Sequence, residues 1–178
     1  MIDETIHEPW LSFLGQLDKI VEEETQLHFL GGFVVTQIYG AKRKTLDIDV
    51  LSIVPKTASL IDKAGKGSPL HKEHGVYLDK VGVATVPENY EDRLTEIYVG
   101  KFERLRLLAF DPYDIALAKI ERNIDRDRAD VRFLAKTIPF DLDVLKKRYH
   151  DELRPYLAIP EREDLTLRLW VEMIEEER

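Results

Sequence analysis

Gly31-Gly32, Arg43, Thr45, Asp47 and Asp49 are the residues of this chain whose types and spacing could do chemistry. In Asp47-Ile48-Asp49-Val50 two carboxylates alternate with apolar residues. On an extended strand they share one face, roughly 7 Å apart along the chain. Like charges side by side invite a hard divalent cation, and Mg²⁺ takes one or two carboxylates together with substrate phosphate oxygens. The plainer alternative is a strand whose polar face meets solvent. Against it, the same face is expected to continue as Leu51 and Ile53, leaving two acids at the mouth of an apolar row. Thr45 and Arg43 precede the acids by two and four residues, and a hydroxyl and a guanidinium suit phosphate contacts. Gly31-Gly32 lacks Cβ atoms, so its backbone can bend sharply and bring amides to phosphate oxygens. The pattern implies phosphoryl or nucleotidyl transfer, with Asp47 and Asp49 holding both the nucleotide's metal and the metal that activates an attacking hydroxyl.

Other candidates are less distinctive. Lys119 has Ile115 and Ala116 one turn behind it, so it lies on an apolar stripe and must meet an anion or snorkel outwards. Asp127 and Asp130 follow, interleaved with Arg126 and Arg128, which alone would read as a surface ion-pair network. His71, Glu73 and His74 have metal-ligand types at helical spacing, but beside a glycine-rich loop they read as exposed. His28 reads as a core histidine, and Asp79, heading a short strand, as a possible third metal carboxylate that nothing local distinguishes from a surface acid. The glycine pair is not a dinucleotide fingerprint, and no nucleophile elbow or Ser–His–Asp order is present.

The elements that must position these residues follow from periodicity. Residues 9–24 carry a helix-spaced stripe (Trp10, Phe13, Leu14, Leu17, Ile20, Val21), and residues 26–30 form a short strand running into Gly31-Gly32. Residues 33–39 suit a two-turn helix stopped by Gly40, and residues 46–54 a second strand closed by Pro55. A short helix is expected at 57–63, then a Gly65–Pro69 loop, strand or hairpin material at 76–86 and a strand at 104–110. Asp111-Pro112, with Asp114 in the first turn, is a strong helix start, and that helix is expected to reach about Asn123. Further helices are expected from Asp125 or Arg126, around 142–149 and around 165–176, with Pro155 and Pro160 as breaks. The expectation is an α+β fold, a sheet with flanking helices and a helical C-terminal third, divided as a core over 1–110 and a helical region over 111–178 packed on it.

Composition narrows the setting. The chain has 178 residues, 44% hydrophobic and 34% charged, with a net charge of −8 and no cysteine. Disulfides, thiolate metal sites and cysteine nucleophiles are therefore excluded. The negative charge argues against broad electrostatic binding to nucleic acid, though Lys42-Arg43-Lys44 and Arg122, Arg126, Arg128 and Arg132 are local basic clusters. No apolar run approaches the roughly 20 residues that cross a bilayer. The acidic opening stretch (Asp3, Glu4, Glu8) reads as lacking a secretory leader, so a cytoplasmic setting without membrane association is expected.

Taken together, the glycine pair, Arg43-Lys44-Thr45-Leu46-Asp47-Ile48-Asp49, and the later Lys and Arg-Asp elements resemble a minimal nucleotidyltransferase of the DNA polymerase β superfamily. Within it the chain resembles bacterial nucleotidyltransferases of unknown function. The most specific match lies in Asp111-Pro112-Tyr113-Asp114-Ile115-Ala116-Leu117-Ala118-Lys119-Ile120-Glu121-Arg122-Asn123, then Arg126-Asp127-Arg128-Ala129-Asp130-Val131 and Asp164-Leu165-Thr166-Leu167-Arg168-Leu169-Trp170. A more distant similarity is to AbiE-type toxin nucleotidyltransferases, with Thr45 where that pattern has serine. The resemblance implies a nucleotidyltransferase-type mixed sheet and an active site of Gly31, Gly32, Thr45, Asp47, Asp49, Lys119 and either Asp127 or Asp130. It implies that Gly31, Gly32, Thr45 and Arg43 steady a nucleoside triphosphate, that Asp47 and Asp49 hold Mg²⁺ (or Mn²⁺), and that Lys119 neutralises developing charge. The implied acceptor is RNA such as tRNA, a protein or a small molecule, and the implied context a toxin–antitoxin or defence pair with a cognate partner. The superfamily's third strand acid has no counterpart other than Asp79. Without it, a non-catalytic nucleotide- or partner-binding module is the alternative.

Overall fold

The computed structural model describes residues 5–57 and 59–177; Asp3 and Glu4 of the acidic opening stretch, and Ala58 in the helix expected at 57–63, lie outside the described residues. The chain forms two compact units, one running to Gly82 and including Leu94–Phe110, the other made of Val83–Arg93 and the chain from Asp111 onwards.

In the first unit, helix α1 (Trp10–Ile20) buries Trp10, Phe13, Leu14 and Leu17, the stripe that its spacing requires. Strand β1 (Thr25–Leu30) enters Gly31 directly, and the short helix α2 (Gly31–Phe33) widens into a π-helical turn over Val34–Ile38. Strand β2 (Asp47–Val54), helices α3 (Ser59–Ala64) and α4 (Pro69–His74), and strands β3 (Tyr77–Lys80), β4 (Thr95–Ile97) and β5 (Leu105–Ala109) complete the unit. The strands lie in the order β3-β2-β1-β5-β4. β1 is antiparallel to β2 and parallel to β5, β2 is parallel to β3, and β4 is antiparallel to β5. The sheet is therefore mixed and the fold α+β, with helices in the C-terminal part. Asp18 at the end of α1 accepts the backbone N–H groups of Glu103, Arg104 and Leu105 at 2.8–2.9 Å, which fixes the start of β5.

Register assigns each residue to a face. Leu27, Phe29, Ile48, Val50, Ile53, Leu78, Leu107 and Ala109 share one face and are buried. Asp47 and Asp49 share the other. The register slips between His28 and Phe29, so Leu51 is an extra residue in β2. That bulge corrects the expected row: beyond Leu51 the alternation inverts, Ile53 joins the core, and the acid face continues as Ser52 and Val54.

Several boundaries differ from those expected. The expected loop at 65–69 holds as far as Ser68, and α4 follows it where no element was expected: Ser68 Oγ accepts His71 N–H at 3.2 Å, Pro69 takes the first turn and Gly75 closes the helix at φ +74°. β4 is only three residues long and its pairing partner supplies its stability, so no period marked it. The segment at 76–86 yields a strand only over Tyr77–Lys80.

The second unit is helical. Asp111 Oδ1 accepts Asp114 N–H at 2.8 Å and starts helix α5 (Pro112–Leu117), which stops six residues short of the expected Asn123. Asn123 takes φ +43°, a turn that separates α5 from helix α6 (Asp125–Thr137). Helix α7 (Leu142–Arg148), capped by Asp141, continues into a π-helical turn over Tyr149–Leu153. Helix α8 (Pro160–Glu176) begins at Pro160, which initiates it instead of breaking it. Arg93 joins its segment to this unit through paired hydrogen bonds to Asp114 at 2.8 and 3.1 Å and a bond to Glu152 at 2.7 Å. Among the described residues, no helix is long and apolar enough to cross a membrane.

Candidate metal and nucleotide site

The site in the first unit is built by register. β2 and β3 run parallel with Asp47 beside Tyr77 and Asp49 beside Asp79, so the three acids share one sheet face. Each offers a carboxylate oxygen within 4.8 Å of the other two; Asp47 and Asp49 are half-buried and Asp79 is exposed. Hard oxygen donors suit Mg²⁺ or Mn²⁺. Octahedral Mg²⁺ with oxygens at about 2.1 Å needs ligand separations of about 3–4 Å, a spacing within the 4.8 Å limit of this group. The donors fit the ion.

The glycine pair lies against this row. Gly31 follows β1 with φ +73°, and a Cβ there would stand 1.9 Å from Asp49 Oδ2. Only glycine allows both that backbone and that approach. A Cβ on Gly32 would meet the Arg43 guanidinium at 2.9 Å and the Thr45 hydroxyl at 3.2 Å. The expected nucleotide-binding residues Gly31, Gly32, Arg43 and Thr45 are therefore together, and Thr45 Oγ1 donates to Asp47 Oδ1 at 2.9 Å. Arg43 and Thr45 precede β2, which begins at Asp47; packing against Gly32, not strand alternation, places them.

Tyr77 shows the electrostatics of the row. Its phenol is pushed above its ordinary pKa by burial first, and then by Asp47, Asp79 and Asp49.

Lys119, Asp127 and Asp130 come together in the second unit. The Lys119 Nζ lies 3.0 Å from Asp130 and 3.4 Å from Asp127, and Arg122 reaches Asp127 at 2.6 Å. Lys119 is 5% exposed and the two acids 2% or less, so the lysine does not snorkel and the acids are not a surface network. Burial opposes the charge of Asp127, yet hydrogen bonding from Arg122 and the charges of Lys119 and Arg122 hold its carboxyl below the ordinary range. Asp127 Oδ2 also accepts Ile124 N–H at 3.3 Å, closing the first turn of α6.

Of the remaining candidates, His28 is buried as expected. His71 and His74 belong to α4 and are half-buried, not exposed; His71 Nδ1 accepts Gly67 N–H and the His74 ring lies edge-on to Phe13. Neither joins a metal-binding group among the described residues. Asp79 was the under-read residue. Its signal was the alternation Tyr77-Leu78-Asp79, but its partner across the sheet is 30 positions away, and single-sequence periodicity does not give inter-strand register.

A family model described as nucleotidyltransferase of unknown function (DUF6036) matches residues 13–178. No curated protein and no solved structure matches the chain.

Proposed function

The chain belongs to this family of nucleotidyltransferases of unknown function, and from that premise we propose that it transfers a nucleoside monophosphate from a nucleoside triphosphate to an acceptor hydroxyl. The observation that carries the reading is the gathering of Asp47, Asp49 and Asp79 on one sheet face beside the Gly31 bend. Doubt about a third acid favoured a non-catalytic module; the approach of Asp79 to Asp47 and Asp49 supports the enzyme.

In the proposed reaction the acceptor oxygen attacks the α-phosphorus, the bond to the bridging oxygen breaks, pyrophosphate leaves, and the hydroxyl proton passes to solvent. Asp47, Asp49 and Asp79 would hold divalent metal, which supplies Lewis-acid stabilisation of the phosphoryl oxygens. The Arg43 guanidinium and Thr45 hydroxyl bind and orient the triphosphate next to the row, while glycine at 31 and 32 keeps that space open. Thr45 also fixes the Asp47 carboxylate through its 2.9 Å bond. For Lys119, Asp127 and Asp130 a catalytic part is proposed on the resemblance alone, with the ammonium of Lys119 neutralising charge that develops on the triphosphate. Positioning and electrostatics supply most of the rate in such a reaction. The acceptor classes proposed are RNA such as tRNA, a protein or a small molecule, in a toxin–antitoxin or defence setting.

The test is incubation with labelled ATP, CTP, GTP and UTP and Mg²⁺ against bulk tRNA and the protein itself. Label transfer is expected, and Asp47→Ala should lower it at least about a thousandfold, equivalent to about 4 kcal/mol of transition-state stabilisation. Equal transfer by the variant would overturn the catalytic assignment. Mg²⁺-dependent triphosphate binding without turnover would support the binding module instead.

A further inference from the structure

Beside the acid row stands a group of side chains that the proposed reaction has not used. Tyr77 opens β3 on the acid face, in register beside Asp47 and two residues before Asp79. Its ring has an imidazole and an ammonium as neighbours. The His71 ring of α4 packs against it with centroids 4.8 Å apart and planes at 66°, and Lys66 Nζ sits 5.9 Å from its centroid. His71 Nδ1 accepts the Gly67 N–H at 2.8 Å, so the neutral imidazole carries its hydrogen on Nε2 as a donor. Lys66 is exposed, and among the described residues its one side-chain interaction is with this ring.

An ammonium and an imidazole N–H beside an aromatic ring match an anion joined to a planar ring. A nucleotide has both, as phosphate and base. Placement favours the acceptor over the donor triphosphate. β3 is an edge strand, and the acids of β2 separate it from the Gly31 bend that follows β1. In-line displacement puts entering and leaving groups on opposite sides of phosphorus. With the triphosphate chain on the glycine side, the Tyr77 side receives the incoming hydroxyl.

We propose that Lys66, His71 and Tyr77 form an acceptor subsite for a phosphate-bearing nucleotide, the phosphate on Lys66 and His71 and the base against Tyr77. The inference rests on the nucleotidyl transfer proposed above. The sugar hydroxyl of this nucleotide forms the new bond to the α-phosphorus as pyrophosphate leaves and the proton goes to solvent. A free nucleotide and the terminal nucleotide of an RNA strand present the same chemistry.

Equilibrium binding to the full chain, without metal or triphosphate, tests the subsite using adenosine, AMP and an adenosine hexaribonucleotide. AMP should bind about tenfold more tightly than adenosine, and Lys66→Ala should erase that difference while Lys66→Arg keeps it. Tyr77→Ala should weaken adenosine and AMP alike, and Lys147→Ala, in the second unit, should leave both unchanged. Tighter binding of the hexaribonucleotide than of AMP supports an RNA end as the source; equal binding supports a free nucleotide. AMP binding that survives Lys66→Ala, or that is lost instead in Arg43→Ala, overturns the subsite. If transfer still depends on Asp47 in that case, the reaction stands without it. Lys66-dependent AMP binding in a protein that transfers nothing overturns the reaction and leaves a nucleotide-binding site.

Discussion

Two groups of acids in this molecule are built on opposite principles. On the sheet, Asp47, Asp49 and Asp79 present like charges within 4.8 Å of one another, half-buried to exposed, because β2 and β3 are in register. In the helical unit, Asp127 and Asp130 are buried around Lys119, with Arg122 added to Asp127. The sheet acids repel one another, whereas the helical acids gain from Lys119 and Arg122 in the turn between α5 and α6. The first arrangement favours a cation brought from outside. The second carries its own counter-charges and ties the α5–α6 turn to α6.

The contrast is sharpest in stability. Asp127→Ala leaves Lys119 with one buried partner and uncaps α6, so it should cost about 3–5 kcal/mol in chemical denaturation. Asp79→Asn, at the exposed acid of the row, removes a like charge and should leave metal-free stability unchanged or raised. Similar losses for the two variants would break the comparison. Metal gives the next largest effect: Mg²⁺ at a hundredfold over its Kd should stabilise the protein by about 2.7 kcal/mol, seen as a rise in Tm. Asp49→Asn should abolish that rise and Asp130→Asn should not. Gly31→Ala tests the wall of the sheet site. An alanine at φ +73° with its Cβ 1.9 Å from Asp49 Oδ2 must displace the carboxylate. About 1–2 kcal/mol of stability should go, together with metal-dependent stabilisation.

How much of this was legible in the sequence depends on the range of the interaction. The Asp111 cap, the α1 stripe, the β1–Gly31 junction and the paired acids are local, and each stands where its neighbours require. What escaped was set by pairing between distant segments. The bulge at Leu51 exists because β1 and β2 slip register, and it moves Ile53 from the acid row to the core. Asp79 becomes a third candidate ligand only because β3 runs parallel to β2. Lys119 fell between two local readings, snorkelling or anion binding, and only the Asn123 turn returns α6 with its acids to that lysine.

Acid titration gives the smallest and most discriminating effect. Asp127 has its folded pKa depressed, so its contribution is full above the ordinary carboxylate value and is lost as pH falls through the folded pKa. Asp114, in the same unit, is pushed up by burial despite Arg93 and Arg148, so its contribution is present below the ordinary value and is lost as pH rises through its folded pKa. Removing a cation from Asp127 should therefore move acid unfolding in one direction only. In Arg122→Ala the carboxyl returns towards its ordinary pKa, and the unfolding midpoint followed by circular dichroism should rise in pH. Lys66→Ala, which touches neither acid, should leave it in place. A midpoint that stays fixed in Arg122→Ala would mean that Lys119 alone compensates the helical acids, and the second cluster would then be a simple three-residue pair of bridges with Arg122 as a bystander.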